Sequence, residues 1–197
     1  MVCGHLEWRQ QVFPIHKEGP VRQLIDDGKR FRTVGTTSDG TPVILMDFLW
    51  GAFKTEAVQG LDLLRASIRF MEDEGTKTLA MGVHQVAVVC FGGPPPMDWA
   101  MALATVAEAN YPEWLQKAVI YPVPRFVKLT VWALLWFVDE TTRSKVAVES
   151  SEEDLLAAIS MPSYALPEEL RGGVEGAERH FKPNKGKMTA LMKVGFS

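Results

Sequence analysis

The chain has 197 residues, 47% of them hydrophobic, and a formal net charge of −3 at pH 7. That length supports one sizeable core, and no Gly/Ser-rich or Pro-rich linker divides it. The slight acidic surplus excludes the basic footprint on which nucleic-acid binding rests, so no nucleic acid is expected as a partner.

MVCGHLEWRQQ carries no apolar signal-like run, and nowhere do eighteen or so apolar residues follow one another as a spanning helix requires. Cys3 and Cys90 stand far apart, Cys90 inside an apolar run, which suits reduced thiols. The expectation is a cytoplasmic protein and a monomer.

In chain order, residues 31–34 read as a weak strand before the turn Ser38-Asp39-Gly40, which Pro42 follows. Residues 43–49 (VILMDFL) have the composition of a buried strand, and residues 56–74 carry Val58, Leu61, Leu64, Ile68 and Met71 at the three-and-four spacing of an amphipathic helix. Residues 85–91 (QVAVVCF) form a second apolar strand, broken by Gly92-Gly93-Pro94-Pro95-Pro96 before a helix over 97–109.

A third strand, 118–121 (AVIY), precedes the greasiest segment of the chain. From Leu129 to Val138 no residue is charged and only one carries a hydroxyl, so a helix there is apolar on every face. Ten residues rise about 15 Å, half of a bilayer core, so this segment does not span one. A weak strand over 145–148 and a helix over 152–159, capped by Ser150-Ser151, complete the regular pattern. Continuous apolar strands alternating with helices predict an α/β sandwich with a mostly parallel five-stranded sheet covered on both faces. Leu166-Pro167 to Gly172-Gly173 ends that pattern. Residues 174–197 then read as a loosely held basic tail, with Arg179, Lys182, Lys185, Lys187 and Lys193 against Glu175 and Glu178.

Enzyme signatures are missing: there is no G-x-S-x-G elbow, no phosphate-binding G-x-x-x-x-G-K-S/T and no G-x-G-x-x-G. His5, His16, His84 and His180 show no metal-ligand spacing, so neither a metal nor another cofactor is expected. Nothing near Cys90 in sequence lowers its pKa, and it reads as an inert core thiol.

Tyr111-Pro112-Glu113, Pro124, Phe126, Phe137-Val138-Asp139, Thr142 and Ser144-Lys145 fall in one order, with Gly40-Thr41-Pro42-Val43 and Leu166-Pro167 to Gly172-Gly173 further out. That order resembles a CRAL-TRIO domain, the lipid-binding fold of the phosphatidylinositol transfer proteins. Trp8-Arg9 is similar to the W-R that closes the family's N-terminal helical region. The resemblance implies three segments: a remnant of that helical region over 1–30, a lipid-binding domain over 31–173, and the tail over 174–197. Departures accompany the match. Pro122 stands where the family has Asn, Trp114 where it has a basic residue, and Leu135-Trp136 where it has Lys-Pro.

By resemblance, Glu113, Thr142 and Lys145 bind a lipid headgroup, assisted by Arg9. A phosphodiester needs a cation and a hydroxyl donor, and inositol hydroxyls donate to a carboxylate. Phe126, Leu129, Trp132, Leu135 and Trp136 are implied to be the gate helix and membrane contact, Trp132 and Trp136 lying four residues apart. The implied activity is to hold one hydrophobic lipid, a phospholipid such as phosphatidylinositol ahead of other hydrophobic small molecules, and to exchange it peripherally at membranes. Two alternatives stay open on the residues: a non-transferring interaction domain whose pocket is filled by its own bulky side chains, and an unrelated small α/β enzyme.

Overall fold

In the computed structural model, residues 2–16, 18–26, 30–47, 60–80, 85–92, 97–111, 113–136 and 140–181 are described. Two helices, α1 (Val2–Val12) and α2 (Gly19–Asp26), precede the hairpin of β1 (Phe31–Thr36) and β2 (Pro42–Asp47). The turn between these strands is tied locally: the Thr41 N–H donates to Thr37 Oγ1 at 2.9 Å, and Gly40 takes a φ of +86°, open to glycine.

Three crossovers follow. Helix α3 (Gly60–Ala80) leads to β3 (Val86–Phe91), α4 (Met97–Asn110) to β4 (Leu115–Tyr121), and α5 (Arg125–Leu135) with the short α6 (Glu140–Ser144) to β5 (Val146–Val148). The strands lie in the order β1-β2-β3-β4-β5, the first pair antiparallel and the others parallel. This is the mostly parallel five-stranded sheet, flanked by helices, that the continuous apolar runs predict.

The sheet separates two apolar clusters, as strands buried on both faces require. Ile44, Met46, Val88, Cys90 and Ile120 face α2, α3, α4 and α5 through Leu24, Leu63, Trp99 and Val131. Val43, Leu45, Val89, Val119 and Tyr121 face the opposite way, against Leu155 and Ile159 of α7 (Glu152–Ile159). Helix α7 starts as its serine pair predicts, Ser151 Oγ accepting the Asp154 N–H at 3.2 Å.

The structure departs from the sequence expectations at several ends. Helix α3 continues past Glu74 to Ala80, β4 begins at Leu115 rather than Ala118, and α6 occupies a stretch for which no element was expected. Two 3-10 turns, Ser163–Ala165 and Glu168–Leu170, fill the Leu-Pro to Gly-Gly segment. The segment expected as an irregular tail opens with a helix, α8 (Gly173–Phe181), whose Ala177 is buried in the second cluster. Its pattern is short and Gly-interrupted, so burial rather than propensity holds it. The Tyr121 hydroxyl donates to Leu170 O at 2.6 Å, and Arg32 pairs with Glu169, fixing this segment to the sheet. Residues 182–197, the rest of that tail, lie outside the described residues, as do 48–59, His84, 93–96, Pro112 and 137–139.

Candidate functional site: an apolar cavity with one polar end

A cavity of about 330 Å³ lies between the sheet and the α4–α5 layer. Met46, Val88, Cys90, Ala118 and Ile120 of β2, β3 and β4 form its floor, and Met71 of α3 and Leu135 of α5 close part of its sides. Ala100, Ala104 and Ala107 of α4 face it with Leu103. Small side chains at spacings of three and four on one helix face leave the space that a leucine stripe would occupy. Ala100, Ala104 and Ala107, spaced four and three apart, are the sequence signal for this wall, visible only once α4 is known to cross the sheet.

The polar residues gather at one end. Glu113, Thr142 and Lys145 all line the cavity, with Thr141, Glu108 and Tyr111 beside them. Lys145 Nζ is 3.6 Å from Glu113 Oε2, a pair that joins the loop after α4 to the residue before β5. Glu113 takes a left-handed φ of +61°, uncommon for a residue with a Cβ, in a turn closed by the Trp114 N–H donating to Tyr111 O at 3.2 Å. Three of the four residues assigned to a headgroup by resemblance are thus brought together.

The fourth is not. Arg9 donates from Nη1 and Nη2 to Glu72 Oε1 and Oε2 of α3, at 2.7 and 2.8 Å, and is not among the cavity's lining residues. The fork geometry matches a carboxylate bidentately, and this pairing raises the Arg9 pKa further. The Tyr111 hydroxyl donates to Glu72 Oε1 as well, at 2.6 Å. Burial and the adjoining Glu72 carboxylate hold the phenol protonated well above the ordinary tyrosine range. Sequence reasoning missed Glu72, which sits 63 residues from Arg9 with nothing local to mark it.

Helix α5 divides its apolar residues between two environments. Val131 and Leu135 are buried, Leu135 at 8% exposure and facing the cavity, so Leu135 turns inward rather than toward a membrane. Phe126 (75%), Leu129 (80%) and Trp132 (39%) point outward, continued beyond the helix by Trp136 (74%), over whose ring the Arg143 guanidinium carbon lies 4.9 Å from the centroid. An apolar helix over a sheet must bury one side, and the direction of that side decides which residues are left for a partner.

Cys90 sits in the cavity floor and is buried, which pushes its thiol up to about 12 from 9.0. The unfolded thiol loses its proton first as pH rises, so the folded state should lose stability as pH climbs from about 9 toward 12. Cys90→Ala should flatten that part of the stability profile in chemical denaturation at pH 8 to 11. A slope equal to the parent's would assign the alkaline loss to other groups, Tyr121 first, since burial raises its phenol to about 12.

Residues 31–172 match the CRAL/TRIO domain. The chain belongs to the CRAL/TRIO domain family. Proteins of this family bind hydrophobic lipid ligands. Among solved structures, the crystal structure of Sfh5 is similar to this CRAL/TRIO domain, with a TM-score of 0.59 at 17% identity over 92% of this chain and 73% of that one. That likeness shows the fold. No curated protein sequence matches the chain. Within the CRAL/TRIO domain, no helix among the described residues is long and apolar enough to cross a membrane, and no three His, Cys, Asp or Glu side chains there converge as a metal site would.

Proposed function

We propose that this CRAL/TRIO domain holds one lipid in the cavity and exchanges it at membrane surfaces, with Lys145, Thr142 and Glu113 at the headgroup and α5 as the gate. The observation that carries the reading is that these three residues, from separate segments, meet at one end of a void whose other walls are apolar. A volume of about 330 Å³ favours a ligand over a pocket filled by its own side chains, because small-molecule sites begin near that size.

The polar end also bears on the kind of headgroup. Among the described residues, Lys145 is the one cation lining the cavity, Glu113 lies 3.6 Å from it, and Glu108 lines the same cavity. A phosphodiester adds a single negative charge, which Lys145 and the Thr142 hydroxyl can meet while inositol or other hydroxyls donate to Glu113. Headgroups bearing further phosphates add charges that two carboxylates repel. Unphosphorylated phosphatidylinositol therefore suits the site better than its polyphosphates.

Exchange rather than catalysis follows from the energetics. Exposing each methylene of a lipid costs about 0.8 kcal/mol, so extracting a two-chain lipid through water costs on the order of 20 kcal/mol. An apolar helix that rests its outer face on the bilayer while its inner face lines the cavity lets the chains pass without meeting water. Phe126, Leu129, Trp132 and Trp136 supply the outer face, and Leu135 the inner one.

Transfer of fluorescent phosphatidylinositol between two vesicle populations tests the assignment. Lys145→Ala should slow transfer about tenfold, the scale of one lost charge-assisted hydrogen bond, without changing the unfolding midpoint. Transfer at the parent's rate would remove Lys145 from the headgroup site, and the absence of any transfer or lipid uptake by the parent would end the lipid reading.

A further inference from the structure

Helix α1 lies outside the residues matched to the family, yet it reaches the cavity wall through one carboxylate. Glu72 of α3 accepts both arms of the Arg9 guanidinium and the Tyr111 hydroxyl. The rings follow the same path. Trp8 stands edge-on to Phe13 (5.8 Å, 77°) and to Tyr111 (6.0 Å, 89°), and Tyr111 lies 6.4 Å from Trp114. Tyr111 and Trp114 are cavity walls, and Glu113 is the strained residue between them.

We propose that α1 is a positioning element for the cavity: Arg9, acting through Glu72, holds the Tyr111 ring and the turn through Glu113, and thereby sets how fast a bound ligand leaves. The proposal rests on the ligand-binding reading above and gives Arg9 a different task from contact with a phosphate.

The physical reasoning starts at Glu72. Its carboxylate is partly buried, and removing the guanidinium leaves that charge with fewer donors in a poorly solvated place. It relaxes toward water or another donor, and the Tyr111 hydroxyl loses a fixed, charged acceptor. A phenol without that anchor regains rotamer freedom. Its backbone carbonyl receives the Trp114 N–H, and the Trp114 carbonyl in turn receives the Val86 N–H at 2.8 Å, so motion at Tyr111 passes into the wall where β4 begins. The turn with a left-handed Glu113 is the part of that wall least held by its own backbone preference.

The test uses cis-parinaric acid, a single-chain polyene without phosphate whose absorption overlaps tryptophan emission. The full chain is loaded with it and mixed rapidly with excess phosphatidylcholine vesicles, and release is followed as loss of energy transfer from tryptophan. Arg9→Gln and Tyr111→Phe should each speed release about fivefold or more, the scale set by one lost hydrogen bond. The double variant should be no faster than the faster single one, because both act through the same carboxylate. Arg9→Lys should recover only part of the effect, since an ammonium lacks the bidentate fork.

A tie that is merely structural would lower the unfolding midpoint and leave release at the parent's rate, which would overturn the proposal. Independent, multiplying effects in the double variant would overturn it too. Tyr111→Phe keeps the ring and its packing, so the test survives misfolding of the Arg9 variants. Parent protein that takes up neither parinarate nor vesicle lipid would sink the ligand-binding reading and this inference together; normal loading with unchanged release in every variant would sink this inference alone.

Discussion

Phe126→Glu combined with Leu129→Glu should lower binding of the protein to phosphatidylcholine vesicles by a factor of about 100 or more, while the unfolding midpoint stays where it was. Both side chains are mostly exposed, so the folded state hardly uses them. At a bilayer each contributes roughly 1.5–3 kcal/mol when buried, and an ionised carboxylate there carries a desolvation cost besides. Arg125 opens α5 and Arg143 lies over the Trp136 ring; on the proposed membrane reading both guanidinium groups would meet lipid phosphates. Cosedimentation with vesicles, alongside thermal unfolding followed by circular dichroism, reads both quantities. Undiminished binding by the double variant would remove α5 from the membrane contact. A strongly lowered midpoint would show instead that these side chains pack inward in solution.

Ala104→Trp should abolish ligand uptake by filling the cavity from the α4 side. Enlarging a side chain in a tightly packed core costs about 1–3 kcal/mol, because neighbours are forced off their rotamers. Ala104 faces a void, so the indole gains contacts that the alanine lacks, and the unfolding midpoint should hold or rise. Lipid recovered from purified protein, measured by mass spectrometry, should fall at least tenfold, the loss expected when apolar burial is denied to several methylenes. Unimpaired uptake would place the ligand elsewhere. The paired readings matter because a variant that both binds nothing and unfolds early would report only damage.

Much of the fold was legible in the chain because buried strands announce themselves by continuous apolar sequence. Of the two runs VILMDFL and QVAVVCF, Val43–Asp47 and Ala87–Phe91 pair in parallel, Val43 opposite Ala87 through Asp47 opposite Phe91. Helix α7 matched its expected limits because a serine cap and a run of three acids mark its first turn. Less was legible at α1, α2 and α8. Helix α1 has no clear apolar stripe, and α2 and α8 are short, so tertiary contacts rather than local pattern sustain them.

The candidate site divided in the same way. Glu113, Thr142 and Lys145 could be picked out from the order of short motifs, because a sheet of known topology brings the ends of neighbouring strands together. Arg9 was picked out by the same reasoning and went elsewhere. A guanidinium pairs with the carboxylate it meets, and Glu72 is met only after α1 packs against α3.

By itself, then, the sequence determined the class of sheet and an apolar run from Leu129 unlike an ordinary surface segment, and the order of its short motifs gave the family by resemblance. Periodicity and composition act through local burial, and they need no knowledge of neighbours. Tertiary structure alone decided which side of α5 faces inward, which placed Leu135 in the cavity and left Leu129 in solvent. It also decided that three alanines of α4 border a void and that α1 is joined to its wall. The helix expected over the apolar run from Leu129 starts earlier, at Arg125, and ends at Leu135. Its apolar part sets no rotation about the axis, which is chosen by what packs against it and by Lys128 donating to Glu149 at 2.9 Å.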